Sequence, residues 1–202
     1  MADKYAVIII GGGPAGLTTA LTLASAKGKF PFVEGKRYLV IYGEYSDLDK
    51  ALLKNVPGIP TGILGKELLK QIREQVNSYE NVDLVKGKVV KAEGKKENFK
   101  VYLEDGKVFE GENLVLATGF HKFDIEGLNV EVVEHHNSPR PNKVMLKHNN
   151  NKVKDGLYVA GLLAGEPTMY ASASGSGAKV ACDILSEWAG KTVVVHDVPD
   201  EG

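Results

Sequence analysis

Three glycines near the amino terminus have the clearest chemical content in the sequence. Gly11, Gly13 and Gly16 have the spacing G-x-G-x-x-G and separate an apolar run from a segment with helical periodicity. In that context the glycines permit a tight turn, close backbone approach to a ligand, and close packing of a helix on a strand. The unpaired N–H groups at the start of the helix attract an anion. The pattern predicts a site for the diphosphate of a dinucleotide, without distinguishing a flavin from a nicotinamide.

The segments on either side of this turn must form a strand and a helix. Residues 5–10 are continuously apolar and rich in isoleucine, which is typical of a central parallel strand. Pro14 suits the first turn of a helix, and apolar residues then recur on one helical face as far as Lys27. We therefore expect the chain to begin with a strand, a glycine turn and a helix.

The remaining pattern predicts an α/β fold with a central parallel sheet and a small antiparallel meander. Alternating residues from 82 to 110, with a turn at Asp105-Gly106, predict the meander. Asp47 could cap a short helix that ends near Lys54. The other predicted strands cover residues 38–42, 114–119, 130–133, 144–146 and 157–160, and the other helices cover about 66–78 and 171–188.

An acidic residue at the end of the second strand usually binds the ribose of the dinucleotide. That place holds Tyr42 and Gly43 here, and the nearest acid is Glu44. Glu44 is thus a candidate ribose ligand, and a solvated loop glutamate is the alternative.

Four motifs recur in a family-like order along the chain. They are residues 11–16, Asn55-x-Pro57-Gly58-x-Pro60, Ala117-Thr118-Gly119, and residues 156–161 before a glycine-bearing helix. Together they resemble the thioredoxin-reductase branch of the pyridine nucleotide-disulfide oxidoreductases over nearly the whole chain. The resemblance implies a Rossmann-like, three-layer FAD-binding fold.

The resemblance also implies FAD as the cofactor and a set of contacts to it. It places the diphosphate on the glycine turn, the adenine near Val89 and the flavin near Asn55. The amino end of the last helix would point at the O2 edge of the flavin, where its partial positive charge stabilises the reduced ring, and Tyr170 would stack near that ring. The implied cofactor-binding residues are Gly11, Gly13, Pro14, Ala15, Gly16, Tyr42, Glu44, Asn55, Val89, Ala117, Thr118, Gly119, Gly161, Met169, Tyr170 and Ala171.

The sequence departs from the family in three places. Leu162 stands where the family has an aspartate that contacts the ribityl chain, and residues 45–54 replace a glycine-rich stretch. Only residues 120–155 separate the Ala-Thr-Gly strand from the last Ala-Gly strand, which leaves no room for the family's nicotinamide domain. The family's Cys-x-x-Cys pair is absent, because Cys182 is the single cysteine. We therefore expect one FAD-binding domain over residues 1–202, without an intrinsic disulfide relay.

These features predict an FAD-dependent oxidoreductase that receives electrons from free NAD(P)H or a separate donor protein and passes them to an unknown acceptor. The alternatives are a non-catalytic flavoprotein subunit, carrier or sensor, and a domain that binds NAD or another adenine dinucleotide without flavin. No catalytic residue can be assigned. His121 could contact flavin or substrate or simply be polar, and a homodimer is plausible.

Composition narrows the class of protein further. The chain has 202 residues, of which 43% are hydrophobic and 25% charged, as in ordinary globular proteins. A formal net charge of -1 gives no reason to expect a nucleic-acid partner. No apolar run is long enough for a membrane span or a signal-peptide core, so we expect a cytoplasmic protein. Adjacent His135 and His136 would point to opposite faces of a strand, which argues against a shared metal.

Overall fold

The computed structural model describes residues 4–198, so the two ends of the predicted 1–202 domain lie outside the described residues. The described helices are α1 (Pro14–Ala24), α2 (Gly65–Asn77) and α3 (Tyr170–Ala189). The strands are β1 (Tyr5–Ile10), β2 (Tyr38–Tyr42), β3 (Leu52–Leu53), β4 (Ile63–Leu64), β5 (Val82–Lys86), β6 (Val89–Lys95), β7 (Asn98–Leu103), β8 (Val108–Leu116), β9 (Val132–Glu134), β10 (Val144–Leu146), β11 (Lys152–Lys154) and β12 (Leu157–Val159). None of the described helices is long and apolar enough to cross a membrane.

A parallel sheet forms the centre of the fold, as predicted. Its strand order is β11-β12-β8-β1-β2-β5, and only the edge strand β11 runs antiparallel to its neighbour. The prediction that the meander starts at Val82 is wrong, because β5 pairs in parallel with β2. β5 lies at the edge of the parallel sheet and is only partly buried. Its residues therefore alternate between apolar and polar, which is also the pattern of a strand in an antiparallel meander.

The antiparallel meander consists of β6, β7 and the first half of β8. The sequence predicted that the meander ends at residue 110 and that a separate buried strand begins at residue 114, but the single strand β8 runs unbroken through both regions. Gly111 lies where the pairings meet, since it faces Phe99 in the antiparallel ladder and Tyr5 in the parallel one. A Cβ atom there would lie 2.8 Å from Cγ1 of Ile8, so a side chain at this position would push on β1.

Helices cover one face of the sheet and the meander covers the other. Along β1, Val7 and Ile9 face the helices, whereas Ile8 and Ile10 face the meander. This alternation of side chains explains why β1 has no polar residue, because both of its faces are buried. The predicted three-layer α/β fold is confirmed.

α1 and α3 approach each other closely on the helical face. A Cβ atom on Gly177 would lie 2.1 Å from the carbonyl oxygen of Ala15, so only glycine allows this contact. The hydroxyl of buried Thr19 lies 2.9 Å from the carbonyl oxygen of Ala15 and 3.1 Å from that of Gly177. This contact fixes the amino ends of the two helices relative to each other.

Three local predictions need correction. The helix predicted from Asp47 to Lys54 is a 3-10 helix over Asp47–Lys50, and Ser46 caps it instead of Asp47. The turn at residues 149–151 was expected to lie on the surface, but Asn151 is buried. Its side-chain amide donates to the carbonyl oxygen of Val159 at 2.9 Å. His135 and His136 follow β9 outside a strand, and their rings stack 6.0 Å apart.

Glu187 links the end of α3 to two other elements. Its carboxylate accepts hydrogen bonds from Tyr158 Oη at 2.6 Å, from Lys152 Nζ at 3.1 Å and from Lys96 Nζ. Burial alone would raise the pKa of Glu187, but these donors lower it to about 2. A carboxyl group whose pKa is lower in the folded state stabilises the fold above its ordinary pKa, and that stabilisation is lost as the pH falls toward 2.

We therefore expect Glu187→Gln to lower the free energy of unfolding by about 1–2 kcal/mol at pH 7, because the charged acceptor is partly exposed. The difference from the unmodified chain should shrink below pH 4.5 and disappear near pH 2. Urea unfolding at several pH values measures both quantities. Glu131→Gln, which removes an exposed ion pair with Lys147, is the control and should change little. A deficit for Glu187→Gln that is constant with pH would contradict the assignment.

Candidate functional site

A large cavity opens at the carboxyl ends of the parallel strands. Its volume is about 820 Å³, within the range of small-molecule and cofactor sites. Ile10, Ala117 and Ala160, at or just after the ends of β1, β8 and β12, line its floor. Ligands of open α/β sheets bind at this edge, and the cavity is therefore the candidate site.

The glycine turn forms one wall of the cavity, and its backbone packs tightly against the neighbouring backbone. Gly11 has φ +127°, and a Cβ atom on it would lie 2.1 Å from the carbonyl oxygen of Ala117. A Cβ atom on Gly16 would lie 1.9 Å from the carbonyl oxygen of Gly11, so α1 can start this close to β1 only with glycine at both positions. The roles predicted for the first and third glycines in turn and packing agree with this geometry.

The amino end of α1 faces the cavity without a side-chain cap. Gly13 is the N-cap residue, no side chain accepts a hydrogen bond from the first turn, and that turn holds no acidic residue. Gly13, Pro14 and Ala15 line the cavity. The unpaired N–H groups of a helix start carry partial positive charge, so this wall is suited to an anion.

The amino end of α3 lines the same cavity. Its N-cap, Met169, makes no side-chain capping bond, and its first turn also lacks an acidic residue. Met169 and Tyr170 line the cavity together with the apolar residues Leu53 and Leu162. Two uncapped helix starts thus converge on one space, the second within an apolar surrounding.

Charged side chains line another part of the cavity. Lys86 Nζ lies 3.0 Å from Glu44 Oε1, and Lys88 Nζ lies 2.8 Å from Glu104 Oε1. All four residues line the cavity. Glu44 is thus brought to the site, paired with a lysine, and its role toward a ribose stays a prediction.

A chain of three polar side chains lies at the rim of the cavity. His121 Nε2 lies 2.7 Å from Asp47 Oδ1, and Lys143 Nζ lies 2.9 Å from His121 Nδ1. Asp47 and His121 line the cavity. From the sequence, Asp47 was predicted only to cap a helix and Lys143 had no predicted role, because 74 residues separate Asp47 from His121 and no local pattern indicates their contact.

The structure brings most of the predicted cofactor-binding residues to the cavity. Those lining it are Gly11, Gly13, Pro14, Ala15, Glu44, Val89, Ala117, Thr118, Gly119, Met169 and Tyr170. The predicted residues outside the lining are Gly16, Tyr42, Asn55, Gly161 and Ala171. Contact of any of these residues with a cofactor stays a prediction.

The predicted residues outside the lining have various surroundings. Gly16 packs α1 on the turn, and Tyr42 lies under Gly12, whose Cβ atom would be 2.3 Å from that of Tyr42. Gly161 supports the site from behind, since its N–H donates to Ser176 Oγ at 3.0 Å. Asn55 and Ala171 are exposed. The flavin contact implied for Asn55 stays a prediction.

One other candidate reactive group, the thiol of Cys182, is not among the residues that line the cavity. Cys182 on α3 is partly buried, and burial raises the pKa of its thiol, which keeps it protonated. Among residues 4–198, no group of three or more histidine, cysteine, aspartate or glutamate side chains is arranged to hold a metal ion. The chemistry that the described site supports is binding of an anionic, partly apolar ligand.

Comparison with known proteins places this geometry in a family. A thioredoxin reductase of Aquifex aeolicus is 40% identical over 123 residues, which are 58% of this chain and 35% of that protein. Thioredoxin reductase 1 of Saccharomyces cerevisiae is 32% identical over 116 residues, or 56% of this chain and 36% of that protein. The chain thus spans about a third of the length of these curated relatives.

Solved structures and a family model agree with these relatives. An oxidoreductase from Agrobacterium tumefaciens has the same fold, with a TM-score of 0.75 at 16% identity, over 93% of this chain and 99% of the other. The model of the pyridine nucleotide-disulphide oxidoreductases matches residues 5–181, from β1 into α3. Since that match includes the glycine turn and all strands of the sheet, the chain belongs to the pyridine nucleotide-disulphide oxidoreductase family.

Proposed function

We propose that the chain binds FAD and works as a flavoprotein oxidoreductase. The observation that carries this proposal is the convergence of two uncapped helix starts, those of α1 and α3, on one cavity. FAD needs positive potential in two places, at its diphosphate and at the ring that becomes anionic on reduction. A nicotinamide dinucleotide would need only the first.

The residues present fit FAD in three respects. The turn leaves no space for a side chain at Gly11 or Gly16, and it offers backbone N–H groups to a diphosphate. Leu53, Leu162 and Met169 provide an apolar surrounding for a ring system. The cavity volume of about 820 Å³ accommodates a large cofactor.

FAD would supply the redox chemistry when bound, and the chain would bind it, orient it and tune its charge. The glycine turn would hold the diphosphate through backbone donors. The dipole of α3 would stabilise negative charge at the ring. Leu162 cannot accept a hydrogen bond from the ribityl hydroxyls, so the ring end would depend on the helix dipole and on apolar contact.

We further propose that residues 1–202 act as one FAD domain with an external electron donor, either free NAD(P)H or a donor protein. Within residues 120–155, the regular elements are β9, β10 and β11, which form a short hairpin and an edge strand. These elements contain no second glycine-turn-helix unit. The single cysteine likewise supports electron transfer without a disulfide relay.

Reconstitution tests the proposed cofactor directly. We expect the purified chain to be yellow, or to become yellow with excess FAD, and to release FAD on denaturation. NAD⁺ added in place of FAD should neither bind comparably nor block FAD binding. A chain that stays colourless after incubation with excess FAD would overturn the proposal.

Turnover distinguishes the two forms of the proposal. An oxidoreductase of this type should bleach when NADH or NADPH is added without oxygen, and should recolour with an electron acceptor. If neither nucleotide bleaches the FAD-loaded chain while a co-purifying protein does, the chain is an electron-carrying subunit instead.

A further inference from the structure

The chain of Asp47, His121 and Lys143 has a defined direction of hydrogen bonding. A lysine ammonium group can only donate, so His121 accepts from Lys143 Nζ through Nδ1 at 2.9 Å. The hydrogen of the neutral imidazole is then on Nε2, which donates to Asp47 Oδ1 at 2.7 Å and lies 3.0 Å from Oδ2. The imidazole thus joins a carboxylate on one segment to an ammonium group on another.

The carboxylate side of this contact is held rigidly. Asp47 starts a 3-10 helix whose capping box is complete, with Ser46 N donating to Asp49 Oδ2 at 2.8 Å and Leu48 N donating to Ser46 Oγ at 3.3 Å. Leu48 is buried in the core, and α2 presses against its backbone at Gly65, where a Cβ atom would lie 1.8 Å from the Leu48 carbonyl oxygen. The backbone that carries Asp47 therefore has little freedom.

The imidazole side is equally well anchored. Phe120, next to His121, is buried, and its carbonyl oxygen accepts a hydrogen bond from Val144 N at 2.8 Å. The Phe120 ring packs edge-on against the rings of His121 and His135, at 5.0 and 5.4 Å between centroids. Lys143 Nζ lies 5.3 Å from the centre of the same ring. These contacts restrict the imidazole and the ammonium group of Lys143, which reduces the side-chain entropy that an exposed ion pair usually loses.

Asp47 and His121 line the cavity and are each about half exposed, at 44% and 54% of their side-chain surface, so they lie on its rim. They belong to residues 45–54 and to the segment beginning at residue 120, two of the places where the sequence departs from the pattern of the family that it resembles. The contact therefore joins these two segments across the edge of the cavity.

We propose that Asp47 and His121, backed by Lys143, form a rim clasp that must open for a dinucleotide to enter or leave. This inference rests on the proposed function, because it concerns passage of FAD. Because the proposed clasp bars the path and does not touch FAD, it obstructs entry and exit equally, so its loss changes both rates and leaves the equilibrium unchanged. A side chain that touched FAD would instead change the dissociation constant.

Rapid-mixing measurements of FAD fluorescence give both rate constants. We expect His121→Ala and Asp47→Ala each to raise the association and dissociation rate constants about tenfold, the size of one lost hydrogen bond to a charged group, with Kd within threefold of the unmodified chain. Lys147→Ala, which breaks an exposed ion pair outside the cavity lining, should change neither rate. Circular dichroism establishes that each variant is folded.

Each other outcome has a distinct meaning. Unchanged rates in both variants would overturn the clasp, and so would a higher Kd caused by faster dissociation alone, which would make His121 a direct FAD ligand. If the unmodified chain binds no FAD, the proposed function fails, and hydrogen exchange in the ligand-free chain then tests the contact. Exchange at residues 46–50 should be faster in His121→Ala, and unchanged exchange would overturn the clasp independently.

Discussion

Replacing Gly13 with aspartate should weaken FAD binding strongly while leaving the fold at least as stable. Gly13 has φ -86° and ψ -173°, an extended conformation that any residue adopts, and its added Cβ atom would meet only Ser46 Oγ at 3.4 Å. Aspartate is also a preferred N-cap residue. We therefore expect the free energy of unfolding of the ligand-free chain to stay equal or rise by a few tenths of a kcal/mol.

The same carboxylate would occupy the N–H groups at the start of α1 and place a negative charge where the diphosphate should lie. We expect the Kd for FAD to rise at least about 100-fold, the combined effect of lost donors and charge repulsion. Titration of apoprotein with FAD measures the affinity, and urea unfolding measures stability.

Gly13→Asn separates the effect of charge from that of capping, because it fills the same space and caps equally well. Its FAD affinity should lie between those of the unmodified chain and Gly13→Asp. Binding by Gly13→Asp within tenfold of the unmodified chain would show that the diphosphate does not lie on this turn.

Gly177→Ala should destabilise the fold strongly, whereas Gly175→Ala on the same helix should stabilise it. A Cβ atom on Gly177 would lie 2.1 Å from the carbonyl oxygen of Ala15, a backbone atom that can move only with α1. We expect a loss of about 3 kcal/mol in the free energy of unfolding. Gly175 is exposed, and its added Cβ atom would have no neighbour within 4 Å, so we expect a gain of about 0.5–1 kcal/mol from helix propensity.

Urea unfolding of both variants measures these changes, and Gly175→Ala serves as the matched control. Because Gly177 sets the position of α3 against α1, Gly177→Ala should also weaken FAD binding in the fraction that folds. Equal stabilities for the two variants would mean that the helices are not packed as closely as described.

Local features were predictable from the sequence, because local physics decides them. The bounds of β1 and β2 agree with prediction, since a strand buried on both faces has to be apolar throughout. The glycine turn was equally predictable from the sequence, because close backbone approach excludes every other residue type at Gly11 and Gly16.

Features that depend on distant partners could not be predicted. Nothing near Asp47 indicates His121, and nothing near Glu187 indicates Lys96, because each pair meets only through the fold. The assignment of β5 failed for the same reason, since a half-buried strand of a parallel sheet and a meander strand share one alternating pattern. Asn55 was assigned by resemblance alone; it is not among the residues that line the cavity, and its contact with a flavin stays a prediction.

The unbroken course of β8 has a mechanical consequence for the cavity. Its first half is hydrogen-bonded to β7 and its second half to β1 and β12, so the wall that carries Val89 and the wall that carries the glycine turn belong to one continuous sheet. No hinge separates them, and we expect their amides to exchange only on global unfolding. Any motion that admits a large molecule must therefore occur in the loops at the opening of the cavity, while the sheet stays rigid.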